Sequence, residues 1–110
     1  LGDVYKRQAL IHFSNSNEKN KIIIMGDMFE LGKDSLQYHQ NIINLCKKID
    51  FRKIFIVGEI FSKTNYSEEF ISKLNVNKLI DHLKSFSIKN SCILVKGSRG
   101  IELEKIINYL

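Results

Sequence analysis

The chain has 110 residues, 44% hydrophobic and 26% charged, the composition of one compact domain, which excludes a disordered tail or a fibre. A domain of this size buries roughly 65% of the surface its unfolded chain exposes, so its core needs neither disulfide nor metal staples. Seventeen basic against twelve acidic side chains give a formal net charge of +5. The lysines are spread singly, however, and no aromatic-interleaved basic stripe forms, so nucleic acid is not an expected partner.

Read in chain order, Ala9, Leu10 and Phe13 mark the tail of a helix that feeds a first strand. Lys21-Ile22-Ile23-Ile24-Met25-Gly26 is a β-branched run closed by glycine, the pattern of a strand buried on both faces of a parallel sheet. Ser35 begins a helix whose face carries Leu36, His39, Ile42, Ile43, Cys46 and Ile49, with Asp34 or Ser35 available as its cap. Lys53 to Gly58 repeats the buried-strand design. Between Gly58 and Asn77 the pattern blurs, and Glu69-Phe70-Ile71 fits a short strand or a helical turn. Leu79, Ile80, Leu83 and Phe86 mark another amphipathic helix. Ser91 to Gly97 repeats the strand design a third time. Leu103, Ile106, Ile107 and Leu110 mark a final helix, with Glu102 and Glu104 near its positive end.

This alternation predicts an α/β fold, a small doubly wound, mostly parallel sheet with right-handed crossovers. Ligands of such sheets gather beyond the carboxyl ends of the strands, so chemistry is expected in the turns after Met25, Val57 and Val95. The longest apolar run, Ile22 to Met25, is far short of the ~18 residues of a membrane span, and no secretory signal pattern opens the chain. The expected location is the cytoplasm, with no membrane partner. Cys46 and Cys92 have no partner at metal-ligand spacing and are expected as buried, reduced thiols.

The first turn, Gly26-Asp27-Met28-Phe29-Glu30-Leu31-Gly32, sets two carboxylates at a strand's carboxyl end. Asp27 and Glu30 either face a cleft or merely cap and solvate a connection. The third turn, Lys96-Gly97-Ser98-Arg99-Gly100, opens a helix, so its amides with Lys96 and Arg99 could form an anion site. The alternative makes Ser98 a cap and Arg99 one half of a surface ion pair. Its spacing is not that of a nucleotide-hydrolase phosphate loop. His39 lies on an apolar face and reads as a core histidine or a functional one. His12 and His82 have no evident partners and read as surface residues, and Gly58-Glu59 reads as structural. No catalytic triad and no metal set emerges.

Taken in order, the Gly-Asp-Met-x-Glu-Leu-Gly block at 26–32, Ser35 and His39, Val57-Gly58, and Lys96-Gly97-Ser98-Arg99-Gly100 with the following Ile101-Glu102-Leu103-Glu104 resemble the C-terminal domain of the Mur ligase family. The resemblance runs from about Ala9 to Leu110, and within the family it points to the branch that joins D-alanyl-D-alanine to UDP-N-acetylmuramoyl-tripeptide. It implies an ATP-dependent amide-bond-forming ligase of peptidoglycan precursor synthesis, in which ATP activates a peptide carboxylate as an acyl phosphate and the dipeptide amine attacks. It further implies that a central domain binds most of the ATP and the Mg2+, while a Rossmann-like C-terminal domain closes over the nucleotide and positions the dipeptide.

On that resemblance Asp27 and Glu30 would face the interdomain cleft, while Lys96, Ser98 and Arg99 would steady negative charge on the dipeptide or the phosphates. His39 matches the family's Ser-x-x-x-His pattern. No catalytic residue and no metal site are expected within this chain. Residues 1–8 depart from the family's Asp-x-Tyr-Asn-Ala-Asn-Pro block and read as a non-native junction, leaving 9–110 as the domain. The N-terminal and central domains are missing partners, so the fragment alone should not catalyse ligation. The competing reading is a stand-alone α/β module that binds a phosphate or carboxylate.

Overall fold

The computed structural model describes residues 2–29, 31–86, 88 and 90–110, with side chains from residue 8 onward. Four strands, β1 (Lys21–Gly26), β2 (Lys53–Val57), β3 (Phe70–Lys73) and β4 (Cys92–Lys96), form one sheet in the order β3-β2-β1-β4. Every pairing is parallel, with Ile23 level with Ile54 on one side and Leu94 on the other. The helices are α1 (Gly2–Ser14), α2 (Ser35–Cys46), α3 (Glu59–Ser62) and α4 (Val76–Leu83), joined by 3₁₀ segments at Gly32–Asp34, Arg99–Ile101 and Leu103–Tyr109. Helix α1 runs without a break across the boundary expected between residues 8 and 9.

Alternation along the strands builds two cores. Ile23, Met25, Ile54 and Ile56 face Leu10 of α1, Ile42, Ile43 and Cys46 of α2, and Phe61 of α3. Ile22, Ile24, Phe55 and Val57 face Leu79 and Leu83 of α4 with Leu103 and Ile106 near the C-terminus. Strands covered on both faces have no solvent side, which is why β1 and β2 are continuously apolar. The blurred region resolves into α3, β3 and α4, the last capped by Asn75, whose side-chain oxygen accepts the Lys78 amide proton at 2.9 Å. Among the described residues no helix is long and apolar enough to cross a membrane.

Four expectations need correction. Strand β4 is half-buried throughout, because it lies at the edge of the sheet, and Cys92 is half-buried with it; Cys46 is buried and both thiols are free. Leu36 is exposed in the first turn of α2, and Asp34 makes no side-chain cap there, since a 3₁₀ turn leads into the helix instead. His82 is half-buried, with its ring edge-on to Phe55 at 5.6 Å. The final segment is 3₁₀ rather than α; three residues per turn align Leu103 with Ile106, and Ile107 falls outside the buried line.

Candidate functional site

The chain steps from β1 to β2 to β3 on one side of the sheet, then crosses to place β4 on the other side of β1. The topological switch point therefore lies between β1 and β4, the place where ligands of open α/β sheets bind. The turns that leave these two strands are Gly26–Phe29 and Gly97–Gly100. Glycine lets them meet: a Cβ on Gly97 would lie 3.0 Å from Gly26 Cα, and one on Gly26 would lie 2.9 Å from Ile101 Cγ2.

Hydrogen bonds then join the turns. The Ser98 amide donates to the Asp27 carbonyl at 3.1 Å, and the Phe29 amide donates to Ser98 Oγ at 3.1 Å. Ser98 is thus a bridge between turns. Although it precedes the 3₁₀ turn at Arg99–Ile101, its side chain makes no cap bond to that turn. Three amides of this segment are already committed: that of Ser98 to Asp27, and those of Ile101 and Glu102 back to Ser98 and Arg99.

Asp27 turns inward. Its carboxylate is 1% exposed and accepts the amides of Ile60 at 2.8 Å and Phe61 at 2.9 Å, capping α3 from across the sheet. The cap depends on Gly58, whose φ is +126° and whose missing side chain leaves the space Asp27 fills; a Cβ there would sit 2.2 Å from Asp27 Cγ. Gly58, expected to be structural, has its structural reason in this contact. A glycine followed by an acid is its only trace in the sequence.

His39 is fully buried, its ring edge-on to Phe61 at 4.6 Å and to Tyr38 at 5.4 Å. Nδ1 donates to the Ser35 carbonyl at 2.6 Å and Nε2 accepts the Met28 amide proton at 3.0 Å, which assigns the neutral tautomer protonated at Nδ1. Asp27 Oδ1 lies 3.9 Å from Nε2, a proximity rather than a charge pair in that tautomer. The Ser-x-x-x-His spacing thereby acquires a local meaning: one helical turn brings the Ser35 carbonyl onto the ring.

Asp27 and His39 consequently hold the turns from beneath, while Arg99 is exposed and Lys96 is half-buried at the same end of the sheet. Glu30 lies outside the described residues. Arg99 makes no ion pair among the described residues, against one of the two expectations for it. Phe29, absent from the expected site, is 51% exposed, and its ring lies over Gly100, where a Cβ would come within 2.6 Å of it. The exposed side chains here, Arg99 and Phe29, are cationic and aromatic, suited to an anion with an apolar portion. Among the described residues no three His, Cys, Asp or Glu side chains could hold a metal ion, and both Asp27 oxygens are engaged by backbone amides.

No family model matches the chain. It is 38% identical over 96 residues to the UDP-N-acetylmuramoyl-tripeptide–D-alanyl-D-alanine ligase of Buchnera aphidicola subsp. Acyrthosiphon pisum, across 82% of this chain and 20% of that protein. Against the ligase of the same name from Rickettsia prowazekii it is 32% identical over 110 residues, across 94% of this chain and 24% of that one. The fold superposes on a crystal structure of MurF from Acinetobacter baumannii with a TM-score of 0.82 at 22% identity, over 98% of this chain and 25% of that one. MurF ligase from Thermotoga maritima, solved in complex with ADP, gives 0.73 at 20% identity, over 97% of this chain and 25% of that one. The chain spans about a quarter or less of each of these proteins.

Proposed function

We propose that this chain, which belongs to the family of UDP-N-acetylmuramoyl-tripeptide–D-alanyl-D-alanine ligases as one domain's length of such an enzyme, closes over ATP and positions the dipeptide during amide-bond formation. The observation that carries the reading is the bridged pair of turns at the switch point, which presents Arg99 to solvent just beyond Lys96, the half-buried end of β4. Bound ATP, with magnesium held by the rest of the ligase, supplies activation of the peptide carboxylate.

The residues of this chain act on the other partner. Arg99 meets the carboxylate of D-alanyl-D-alanine, for which a planar guanidinium is the matching donor. Lys96 steadies phosphate charge beside it. Ser98 Oγ accepts the Phe29 amide proton and donates its own to Met28 Sδ, and so sets the spacing between the turns rather than binding substrate. Asp27 and His39 hold the same turns in place. Docking of this domain excludes water that would hydrolyse the activated carboxylate. UDP-N-acetylmuramoyl-tripeptide is held by the N-terminal and central domains, in the cytoplasm, where such precursors are made.

The test has two arms. The full-length protein should release ADP only when UDP-N-acetylmuramoyl-tripeptide and D-alanyl-D-alanine are both present. The present chain alone, titrated calorimetrically with ATP-magnesium or with D-alanyl-D-alanine, should show neither binding at micromolar concentration. Micromolar binding of either by the chain alone would instead favour a self-sufficient phosphate- or carboxylate-binding module.

A further inference from the structure

The ring of Phe29 is the one outward-facing feature at the switch point that charge recognition leaves without a task. It occupies the open position of the Gly-Asp-Met-x-Glu-Leu-Gly block. Its backbone is fixed, since the amide donates to Ser98 Oγ at 3.1 Å. Its ring rests on Gly100, immediately after Arg99, and Gly100 has no Cβ to displace it, so the ring and the guanidinium issue from contiguous backbone. Half of the residue's surface nonetheless remains in water. A large apolar side chain held at its backbone and left exposed beside a cation is arranged for a ligand with an anionic end and a small apolar body.

Resting on the reading of Arg99 as the dipeptide's carboxylate contact, we infer that Phe29 is a specificity-determining residue for the amine substrate, covering the methyl groups of D-alanyl-D-alanine. The assignment separates two tasks within one turn pair. Arg99 selects for a carboxylate, and Phe29 selects for alanine against glycine. Burying two methyl groups is worth about a factor of ten in binding, which sets the size of the expected effect.

The full-length ligase and its Phe29→Ala and Phe29→Leu variants would be assayed for ADP release with D-alanyl-D-alanine and with glycylglycine. Phe29→Ala should raise the KM for D-alanyl-D-alanine about tenfold, change the kcat/KM for glycylglycine less than twofold, and leave the KM for ATP unchanged; Phe29→Leu should recover most of the loss. Equal losses for both dipeptides, or no loss for either, would overturn the assignment. Thermal unfolding of each variant separates a folding defect from either result, and a folded Phe29→Leu that fails to recover also counts against the inference. Should the unmodified ligase release ADP with neither dipeptide, the substrate reading itself falls, and the inference with it.

Discussion

The Nε2 atom of His39 accepts the amide proton of Met28 at 3.0 Å, tying the first residues of the turn after β1 to the second turn of α2. The bond is made by a ring with no solvent exposure, held at its other nitrogen by the Ser35 carbonyl. Replacing it removes packing against Phe61 and Tyr38 and leaves the part-buried Met28 amide unpaired. His39→Ala should therefore cost about 3 kcal/mol or more, the sum of a cavity and an orphaned donor. Urea unfolding of the chain measures it, and a cost below 1 kcal/mol would show that the turn finds another acceptor.

Gly58 should tolerate no side chain. Alanine there meets the Asp27 carboxylate at 2.2 Å and must also adopt a φ of +126°, so Asp27 would have to leave the amides of Ile60 and Phe61. Gly58→Ala and Asp27→Ala should thus destabilise by similar amounts, each about 3 kcal/mol. Their double variant should cost much less than the sum, because each breaks the same cap. Additive costs would show that glycine and carboxylate act independently.

Ser98→Ala should be mild globally and sharp locally. The acceptor for the Phe29 amide is lost together with a weak 3.7 Å donation to Met28 Sδ, while the Ser98 amide still reaches the Asp27 carbonyl. Net stability should fall by about 1 kcal/mol. Hydrogen exchange at the Phe29 amide should accelerate well beyond that of the β1 amides, reporting a turn released from its neighbour. Unchanged exchange would mean that the turn is held without the serine.

The parts of this fold that could be read in advance are those whose cause is local. β-Branched runs ending at glycine locate β1, β2 and β4, since a strand covered on both faces needs little more than that composition. Helix α3 is four residues long and is held by a carboxylate 33 positions away, so no window of the sequence contains its cause. The direction of Asp27 was hidden for the same reason: an acid at a strand's end turns in or out according to amides supplied from another element. The exposure of Arg99 was more legible, since a cation in a turn beyond a strand's carboxyl end has little to draw it inward. The half-burial of β4 follows from strand order, which composition does not encode.

His82 supplies a pH dependence with a definite sign. Partial burial, then the charges of Lys73 and Lys53, hold its pKa below the ordinary 6.5, while its ring packs on Phe55 and lies near Phe86. The unfolded chain therefore takes up a proton at higher pH than the folded one. Stability should be intact above about pH 7, begin to fall as pH drops through 6.5, and continue falling until the folded-state pKa is passed. His82→Phe should flatten this part of the profile between pH 7 and 5.5, a range lying above ordinary carboxylate titration. An identical slope in that variant would assign the dependence to another group.

Arg99 tests the substrate assignment most directly, because it is exposed and plays no part in the bonds that join the turns. In the full-length ligase, Arg99→Ala should leave thermal stability unchanged and raise the KM for D-alanyl-D-alanine by about tenfold to a hundredfold, the loss of a charge-assisted contact to a carboxylate. The KM for ATP should move less than about twofold on the same logic. Arg99→Lys should recover only part of the loss, since an ammonium keeps the charge but not the paired donors of a guanidinium. The decisive comparison is between the two substrates within one variant. A larger loss for ATP than for the dipeptide would assign Arg99 to phosphate and leave the carboxylate to Lys96, the other cation of the same turn, half-buried where Arg99 is exposed.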